Sequence, residues 1–462
     1  MGHRTACWTA CSRAFRSLVD RAVVRVALPV PTRRLAVLTA AMAVVAVALP
    51  FGLVGALLVI NAGLILAALV DWLLAIEVRL VGVTREMPGS LTLGSSGVVV
   101  WRVSNGSRRD ITVGLCDELV PSLHPGDRRA VIEVPAGATE AAMTTISPSR
   151  RGRFEPSVMT LRVEGPLGLV ARQASRDVPG LLRVNPRFRS REEAELRINR
   201  TRMAEVGLRS TRGHGGGTEF DSLRDYTVDD EMRRIDWAAT ARAGRAIVRT
   251  YRAERNQQVM CLLDCGRTMA ARIENEPRIE HAMDAVMMLT HVATGLGDRA
   301  GFVAFDAEVR AIVAPGHAFG RLQAVTEAMF TLEPRLVESD YQGAFVATLA
   351  RFRRRSMLVL FSDLAEQAVT ESLLPALPLI ARDHVVVVAA VADPAVQRWA
   401  TGEPLDAEGV YQKAAAIAAI EERRRVTFRL RRLGVTVVDA PPGSLAPRLA
   451  DAYLEVKGTG RL

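Results

Sequence analysis

The feature that most constrains this chain is an uncharged stretch near its amino terminus. Residues 35–70 are 36 consecutive residues without Asp, Glu, Lys or Arg, beginning LAVLTAAMAVVAVALP. One helical crossing of a bilayer needs only about 20 apolar residues, so the stretch predicts two transmembrane helices that fold back at Pro50 to Gly52. The first helix is short for a full crossing, which leaves a re-entrant hairpin open. A cleaved leader fits less well, because 34 residues precede the apolar core.

The charges that flank this stretch predict its orientation. Seven arginines and one acid, Asp20, precede it, and Arg79 and Arg85 follow it. Positive flanks are typical of the cytoplasmic side of a membrane segment. We therefore predict a multi-pass protein of the cell membrane, held in lipid by the hairpin, whose termini and soluble domains are cytoplasmic.

Composition limits the other classes of protein. Lys413 and Lys457 are the only lysines among 60 basic residues, so the arginine bias looks genomic and the net charge of +10 is weak evidence for nucleic-acid binding. The five cysteines form no CxxC pair, which argues against a disulfide framework or a zinc site. A reducing compartment fits this cysteine usage.

Hydrophobic periodicity divides the rest of the chain. Alternating runs such as GVVVWRVSN and VMTLRVEG, separated by Gly, Pro, Asn and Ser, predict a small antiparallel sandwich. A charged connector contains RSREEAELRINRTRMAE, which is typical of a solvated helix. Strands such as QVMCLLD, SMLVLFSD and HVVVVAAV then alternate with helices, which predicts a doubly wound parallel sheet. The expected domains are a basic cytoplasmic segment, two transmembrane helices, the sandwich, the connector and the α/β domain, at 1–34, 35–76, 82–186, 187–255 and 256–462.

Two of the predicted strands end in a carboxylate. Asp264 follows the first strand of the α/β domain, Asp363 follows SMLVLFS, and Thr268 lies in the DCGRT segment after the first strand. The carboxyl ends of parallel strands form the ligand crevice of such sheets. Magnesium and other hard divalent cations prefer oxygen ligands of this kind.

Several segments together resemble the bacterial domain-of-unknown-function family 58. The most specific is EFDSLRDYTVDDEMRRIDWAATAR, supported by RRGRFEPSVMTLRVEGPLGL, VESDYQGAF and YLEVK, and the resemblance covers nearly the whole chain. It implies a multi-domain fold: an N-terminal transmembrane helical hairpin, a β-sandwich-like domain and a C-terminal α/β doubly wound von Willebrand factor A-like domain. It also implies a partner, a MoxR-type AAA+ ATPase.

The resemblance further implies a comparison with the metal-ion-dependent adhesion site, written DxSxS, then Thr, then Asp. Residue by residue, Asp264 takes the first Asp position, Gly266 and Thr268 the two Ser positions, Asp340 the Thr position and Asp363 the last Asp. Gly266 removes one hydroxyl ligand. We hypothesise that a divalent cation binds through the other four residues. The alternative is that Asp264 only accepts backbone N–H bonds from the following loop.

The opening part of the family motif concentrates charge without an obvious local need for it. Asp229, Asp230 and Glu231 predict the start of a helix over 229–242, where they match the positive end of its dipole. The remaining charges form either a salt-bridge network that pins the connector to the domain or a docking surface for a partner. The candidate docking residues are Glu219, Phe220, Arg224, Tyr226, Arg234, Asp236, Trp237 and Arg242.

No catalytic constellation stands out. The chain has no GxSxG, HExxH or Cys-His pattern, and a carboxylate beside Cys265 disfavours a reactive thiolate. The leading hypothesis is a non-enzymatic, membrane-anchored scaffold that acts with the ATPase in assembling or remodelling protein complexes. The alternatives are a metal-dependent hydrolase, and a nucleic-acid-binding protein that uses EERRRVTFRLRRLG, although that run is more typical of a solvated helix face.

Overall fold

The computed structural model describes residues 28–48, 53–210, 219–227, 230, 232, 235–252, 256–274, 276–317 and 320–459. The chain divides into two compact units, Met1–Val184 and Asn185–Leu462. The first unit holds one hydrophobic core and the second holds two.

Two apolar helices open the described part of the chain, α1 (Arg33–Ala48) and α2 (Leu53–Leu74). The 22 residues of α2 rise about 33 Å, enough for a hydrocarbon core of about 30 Å, whereas the 16 residues of α1 rise only about 24 Å. Within the described residues, one candidate span satisfies length and composition, Leu57–Leu80 with a mean hydropathy of 2.3. The expected multi-pass topology is therefore not supported, because α1 is too short. The expected fold-back, Pro50 to Gly52, lies outside the described residues.

A buried carboxylate ties the end of α2 to the β-rich part of the first unit. Asp71 is fully buried, and no side chain can approach it at Gly165, where a Cβ would lie 2.4 Å from Asp71 Oδ1. Arg172 places its guanidinium over the Trp72 ring and donates to the Trp72 carbonyl. The EGPLGL segment is thus a socket for this helix. The backbone N–H groups that donate to Asp71, at 2.7 to 2.9 Å, belong to Leu167, Leu169 and Val170.

Short strands make up the rest of the first unit, and they pair as three sheets. The sheet orders are β1-β10-β9-β5-β6, β2-β4-β7 and β3-β11-β8. Alternate residues of β4 and β5 are buried, as expected for strands with one face toward a core. The expected antiparallel pairing is present. The strands are β1 (Leu28–Pro31), β2 (Val81–Glu86), β3 (Ser90–Thr92), β4 (Gly97–Asn105), β5 (Ile111–Asp117), β6 (Arg129–Val134), β7 (Thr139–Ile146), β8 (Gly152–Phe154), β9 (Val158–Glu164), β10 (Val170–Asp177) and β11 (Leu182–Asn185).

An ion pair is buried inside this β-rich core. The carboxylate of Asp117 pairs with the guanidinium of Arg85 and accepts a hydrogen bond from Trp101 Nε1 at 2.7 Å. Arg85 also donates to the carbonyls of Pro156 and Val178. Every one of these contacts joins residues far apart in sequence, so the network fixes how the strands meet.

The buried pair joins strands of two sheets, and an exposed pair on neighbouring residues of β2 and β4 gives a matched test. We expect Asp117→Ala to destabilise the protein by about 3–5 kcal/mol, because it leaves the Arg85 charge buried without its partner. Glu86→Ala removes the carboxylate that pairs with Arg102 on the solvent face and should leave the melting temperature nearly unchanged. Thermal denaturation of both variants checks this, and equal shifts would contradict the structural role given to Asp117.

The second unit begins with a helix and a separate hairpin. Helix α3 (Arg191–Ser210) buries Ala194 and Ile198 against the α/β core. The prediction of a solvated helix is therefore wrong for the face that carries these two residues. The antiparallel strands β12 (Glu219–Asp225) and β13 (Ile247–Arg252) follow, and the short helix α4 (Trp237–Ala243) lies between them in sequence.

A six-stranded sheet forms the centre of the second unit, in the order β18-β17-β14-β19-β20-β21. Five strands are parallel, and β18 pairs antiparallel at one edge. The strands predicted from QVMCLLD, SMLVLFSD and HVVVVAAV are present as β14, β19 and β20. The strands are β14 (Gln258–Asp264), β15 (Arg272–Ile273), β16 (Glu276–Pro277), β17 (Arg299–Phe305), β18 (Val309–Gly316), β19 (Met357–Phe361), β20 (Val385–Val391) and β21 (Thr436–Ala440); β15 and β16 form a separate two-stranded ladder.

Helices cover both faces of this sheet. Cys261 and Leu263 of β14 pack into one core, and Met260 and Leu262 pack into the other, so alternate residues of a fully buried strand serve two layers. The helices are α5 (Arg278–Gly295), α6 (Arg321–Met329), α7 (Tyr341–Arg351), three short pieces (Glu366–Ala368, Leu374–Ala376 and Pro378–Ala381), α8 (Pro394–Thr401), α9 (Ala407–Arg432) and α10 (Leu445–Gly458).

Candidate functional site

The carboxyl edge of the six-stranded sheet is organised around Asp264, the last residue of β14. Its carboxylate is fully buried and accepts hydrogen bonds from Ser339 Oγ at 2.5 Å, Ser362 Oγ at 2.7 Å and Tyr341 OH at 3.0 Å. It also accepts the backbone N–H of Gly266 at 2.8 Å. The edge therefore holds one acceptor surrounded by donors from three separate loops.

Burial controls the protonation of this cluster. Removal from water raises the pKa of the Asp264 carboxyl above its ordinary value, and the hydroxyl and backbone donors oppose that effect. The pKa of Tyr341 is also raised by burial and by the adjacent carboxylate. Gly266 is required here, because a Cβ would lie 2.1 Å from Ser339 Oγ and 2.9 Å from the Val337 carbonyl oxygen.

Asp363 sits between two guanidinium groups. Arg278 Nη1 donates to one carboxylate oxygen at 2.5 Å, and Arg423 Nη1 donates to the other at 2.7 Å. Arg423 also binds Asp439 through Nε and Nη2. Burial lowers the pKa of Arg423, but the carboxylates of Asp439 and Asp363 outweigh that effect and raise it, so this arginine stays charged. The sequence pattern did not indicate either arginine partner.

The four expected metal ligands have different partners in the structure. Asp340 is exposed and caps α7 by accepting the N–H of Gly343 at 2.9 Å. Thr268 Oγ1 is buried without a hydrogen-bond partner among the described residues. In the described part of the chain, no three His, Cys, Asp or Glu side chains are grouped so that they could hold a metal ion. With Asp363 already neutralised by two arginines, the residues present do not fit a divalent cation, and metal binding stays a prediction.

The family motif folds into a module of its own, made of β12, α4 and β13. Arg224 pairs with Asp230 through Nη1 at 2.8 Å and Nη2 at 2.5 Å, and Arg249 Nε pairs with Asp236 at 2.8 Å. Asp236 also caps α4 by accepting the N–H groups of the first helical turn. The ion pairs described for these four residues thus shape the module itself.

Charged partners lower the pKa values of both carboxylates. The Arg224 guanidinium brings the pKa of Asp230 down to about 2, with further hydrogen bonds from Thr227. The N–H of Ala239 and the Arg249 guanidinium lower the pKa of Asp236. Both acids therefore stay ionised at neutral pH.

The structure corrects the expected helix in this motif. The helix begins at Trp237, after the Asp236 cap, and Ile235 forms an isolated bridge to Val248 instead. Asp230, which was expected in the first turn of this helix, binds Thr227 and Arg224 instead. Residues Asp229, Glu231 and Arg234 lie outside the described residues.

The remaining docking candidates divide by exposure. The Trp237 side chain is 71% exposed, and Met232 and Leu223 of the same module are exposed as well. Arg242 is exposed and donates to the Ala238 carbonyl of its own helix, while Tyr226 is half-buried. For Glu219 and Phe220 the structure describes the backbone, which lies in β12.

The other family segments have structural roles. In VESDYQGAF, Ser339 and Tyr341 bind Asp264. In YLEVK, Tyr453 OH and Lys457 Nζ donate to the buried carboxylate of Asp298. Asp298 was not singled out in the sequence, although the Tyr and Lys on one face of the last helix were a usable signal.

These features define a multidomain chain with a β-rich unit, an α/β unit and one candidate membrane helix. Residues 222–410 match the family described as "Protein of unknown function DUF58". This match includes most of the motif segment on which the predicted resemblance rests.

Relatives match over a limited part of the chain. "Uncharacterized protein Mb1516" of Mycobacterium bovis is 29% identical over 160 residues, which are 32% of this chain and 48% of the relative. "Uncharacterized protein Rv1480" of Mycobacterium tuberculosis matches with the same values. The chain thus spans about half the length of the curated relatives it matches.

Two solved structures show weak likeness. The CARDB domain of PF1109 from Pyrococcus furiosus matches at 10% identity and a TM-score of 0.16, over 23% of this chain and 94% of that chain. A protein of unknown function from Porphyromonas gingivalis matches at 19% identity and a TM-score of 0.18, over 23% of this chain and 48% of that chain. These scores are too low to support a common fold or function.

Magnesium should have little effect on this protein. Because Arg278 and Arg423 already neutralise Asp363, we expect millimolar Mg²⁺ to leave the melting temperature within about 1 °C of its value in a chelator. Differential scanning fluorimetry of the detergent-solubilised chain makes the measurement. A saturable rise in melting temperature that is lost in Asp363→Asn would restore the metal hypothesis.

The Arg224–Asp230 pair should give the motif module a defined acid sensitivity. The folded pKa of about 2 lies below the usual aspartate value. Ionised Asp230 therefore stabilises the module above about pH 4, and this contribution of about 1 kcal/mol is lost as the pH falls toward 2. Arg224→Gln should raise the pKa of Asp230 toward its ordinary value.

Carbon-13 NMR titration of aspartate-labelled protein checks the Asp230 prediction. Arg242→Gln is the matched control, because the one hydrogen bond described for Arg242 goes to a carbonyl of its own helix. An Asp230 pKa that is the same in Arg224→Gln and in the unchanged chain would refute the assignment.

Proposed function

We propose that this protein is a non-enzymatic, membrane-anchored interaction protein that docks a partner through the module formed by β12, α4 and β13. The observation that carries the proposal is the exposed side chain of Trp237. It stands on a module in which Arg224 pairs with Asp230 and Arg249 pairs with Asp236. An exposed tryptophan on a rigid support is typical of the residues that dominate binding energy at protein interfaces.

The ion pairs of the module explain why Trp237 is well placed for docking. Asp236 caps α4 and binds Arg249 of β13, so the first residue of the helix is held against the hairpin. A partner that contacts Trp237 would therefore meet a preorganised surface and would lose little conformational entropy on binding. Arg242, in the last turn of α4, adds an exposed positive charge to the same module.

Exposed apolar surface supports the membrane anchor. Val59, Ile65 and Leu66 of α2 are each more than 60% exposed, and Val37 and Val44 of α1 are exposed to a similar extent. Only 6% of the apolar window in the candidate span is buried within the protein, unlike the core helix of a soluble domain. We propose that lipid covers this surface, that α1 inserts only partway beside α2, and that the soluble domains are cytoplasmic.

The α/β unit supports a finer proposal. Five parallel strands with one antiparallel edge strand, covered by helices on both faces, agree with the von Willebrand factor A-like fold that the motif implied. We propose on the basis of that resemblance that the docked partner is a MoxR-type AAA+ ATPase and that the pair assembles or remodels protein complexes. The geometry does not require a metal ion for this role.

Replacing Trp237 should weaken binding of the ATPase. We expect Trp237→Glu to lower the affinity of the solubilised full chain for the purified MoxR-type ATPase of the same organism by at least about tenfold, since the interface loses its aromatic anchor and gains a charge. Biolayer interferometry with and without ATP measures the affinity.

The control introduces the same charge on another exposed apolar residue. Val131 is 73% exposed on β6, so Val131→Glu should bind like the unchanged chain. Equal affinities for all three proteins would rule out Trp237 as the docking residue, and binding by none of them would rule out this ATPase as the partner.

A further inference from the structure

A large cleft opens at the carboxyl edge of the six-stranded sheet, away from the buried Asp264 carboxylate. It lies where β19, β20 and β21 end, between α8 and α9, and has a volume of about 1010 Å³. The carboxyl ends of parallel strands are where α/β sheets bind ligands. The volume is at the upper end of the range for small-molecule pockets, so the cleft has room for a peptide segment.

The walls of the cleft combine apolar and basic side chains. The apolar lining consists of Leu364, which is 2% exposed at the floor, the half-buried Ile420, and Phe428, which is 63% exposed. Three exposed arginines also line it, and none has an ion-pair partner among the residues that the structure describes. These arginines are Arg398 on α8, and Arg424 and Arg431 on α9.

Each acid of the cleft has a hydrogen-bond partner within the protein, and none forms an ion pair with these three arginines among the described residues. Asp363 and Asp439 bind Arg423. Asp393 caps α8 by accepting the N–H of Ala395, and Glu422 accepts the N–H of Glu366. The lining thus carries five arginines and four carboxylates, and the cleft offers apolar surface together with a small excess of positive charge on exposed arginines.

We propose that this cleft binds an acidic segment of a partner protein, with apolar side chains of that segment seated on Leu364, Ile420 and Phe428 and its carboxylates paired with the three exposed arginines. The site is separate from Trp237 and does not depend on which protein docks there. The arginine side chains hold planar, bidentate donors that match carboxylates.

Charge and surface chemistry favour this occupant over two others. A second copy of the chain carries a net charge of +10 and would be repelled by the arginines. A nucleic acid would satisfy the arginines, but its phosphates gain nothing from the apolar floor. Both occupants remain outcomes of the test.

Fluorescence anisotropy with the detergent-solubilised full chain tests the proposal. The probe is a fluorescein-labelled peptide of glutamate with leucines at helical spacing, and a peptide with glutamine for glutamate is its control. We expect the double variant Arg424→Glu/Arg431→Glu to weaken binding by at least about tenfold, and Phe428→Ser to weaken it several-fold. The glutamine peptide should bind weakly to every protein.

Arg448→Glu is the matched control, because Arg448 is an exposed arginine of α10 that does not line the cleft. It should bind the probe like the unchanged chain. An equal loss in Arg448→Glu would show general charge attraction and overturn the proposal. So would displacement of the probe by a single-stranded oligonucleotide at lower concentration, or cleft-dependent self-association in analytical ultracentrifugation. Circular dichroism confirms that each variant is folded.

Discussion

A carboxylate at the end of a fully buried strand has to be hydrogen-bonded, and this requirement shapes the functional edge of the α/β unit. Every residue of β14 is buried, so Asp264 reaches the edge without reaching water. Hydroxyls from the loops before α7 and after β19 satisfy it. The same contacts draw those loops over the strand end. Asp264, which was expected to bind a metal ion, thus holds these loops together through hydrogen bonds.

This arrangement moves the accessible chemistry of the edge to its other side. The loops that bind Asp264 cover it, whereas a cleft lined by α8 and α9 lies where β19, β20 and β21 end. Asp363 lies at the boundary, where it and Asp439 balance the charges of Arg278 and Arg423. Beyond it, Arg398 of α8 and Arg424 and Arg431 of α9 have no ion-pair partner in the described part of the chain. The edge therefore divides into a closed, hydroxyl-lined half and an open, basic half.

Sequence patterns predict the strands of this unit well, because strands buried on both faces require continuous β-branched runs. They predict that Asp264 and Asp363 lie at one edge for the same reason. They do not predict the partners: Ser339 and Ser362 lie 75 and 98 residues from Asp264, and Arg423 lies 60 residues from Asp363. Such pairs depend on the packed topology. The helix predicted over 229–242 is described as an α-helix only from Trp237, and Asp230, which the dipole argument placed in its first turn, pairs with Arg224 instead.

Most of the family segments supply hydrogen-bond donors to a buried carboxylate, and one segment differs. EGPLGL surrounds Asp71, VESDYQGAF closes over Asp264, and YLEVK neutralises Asp298, so each is explained by one buried carboxylate that needs donors. The EFDSLRDYTVDDEMRRIDWAATAR segment also contains internal ion pairs, but they support a surface that leaves Trp237 in solvent. Stability gives no reason to expose a tryptophan at the head of a capped helix. Trp237 is not needed for the fold, yet two ion pairs hold the module that presents it. Binding of a partner protein best explains this arrangement.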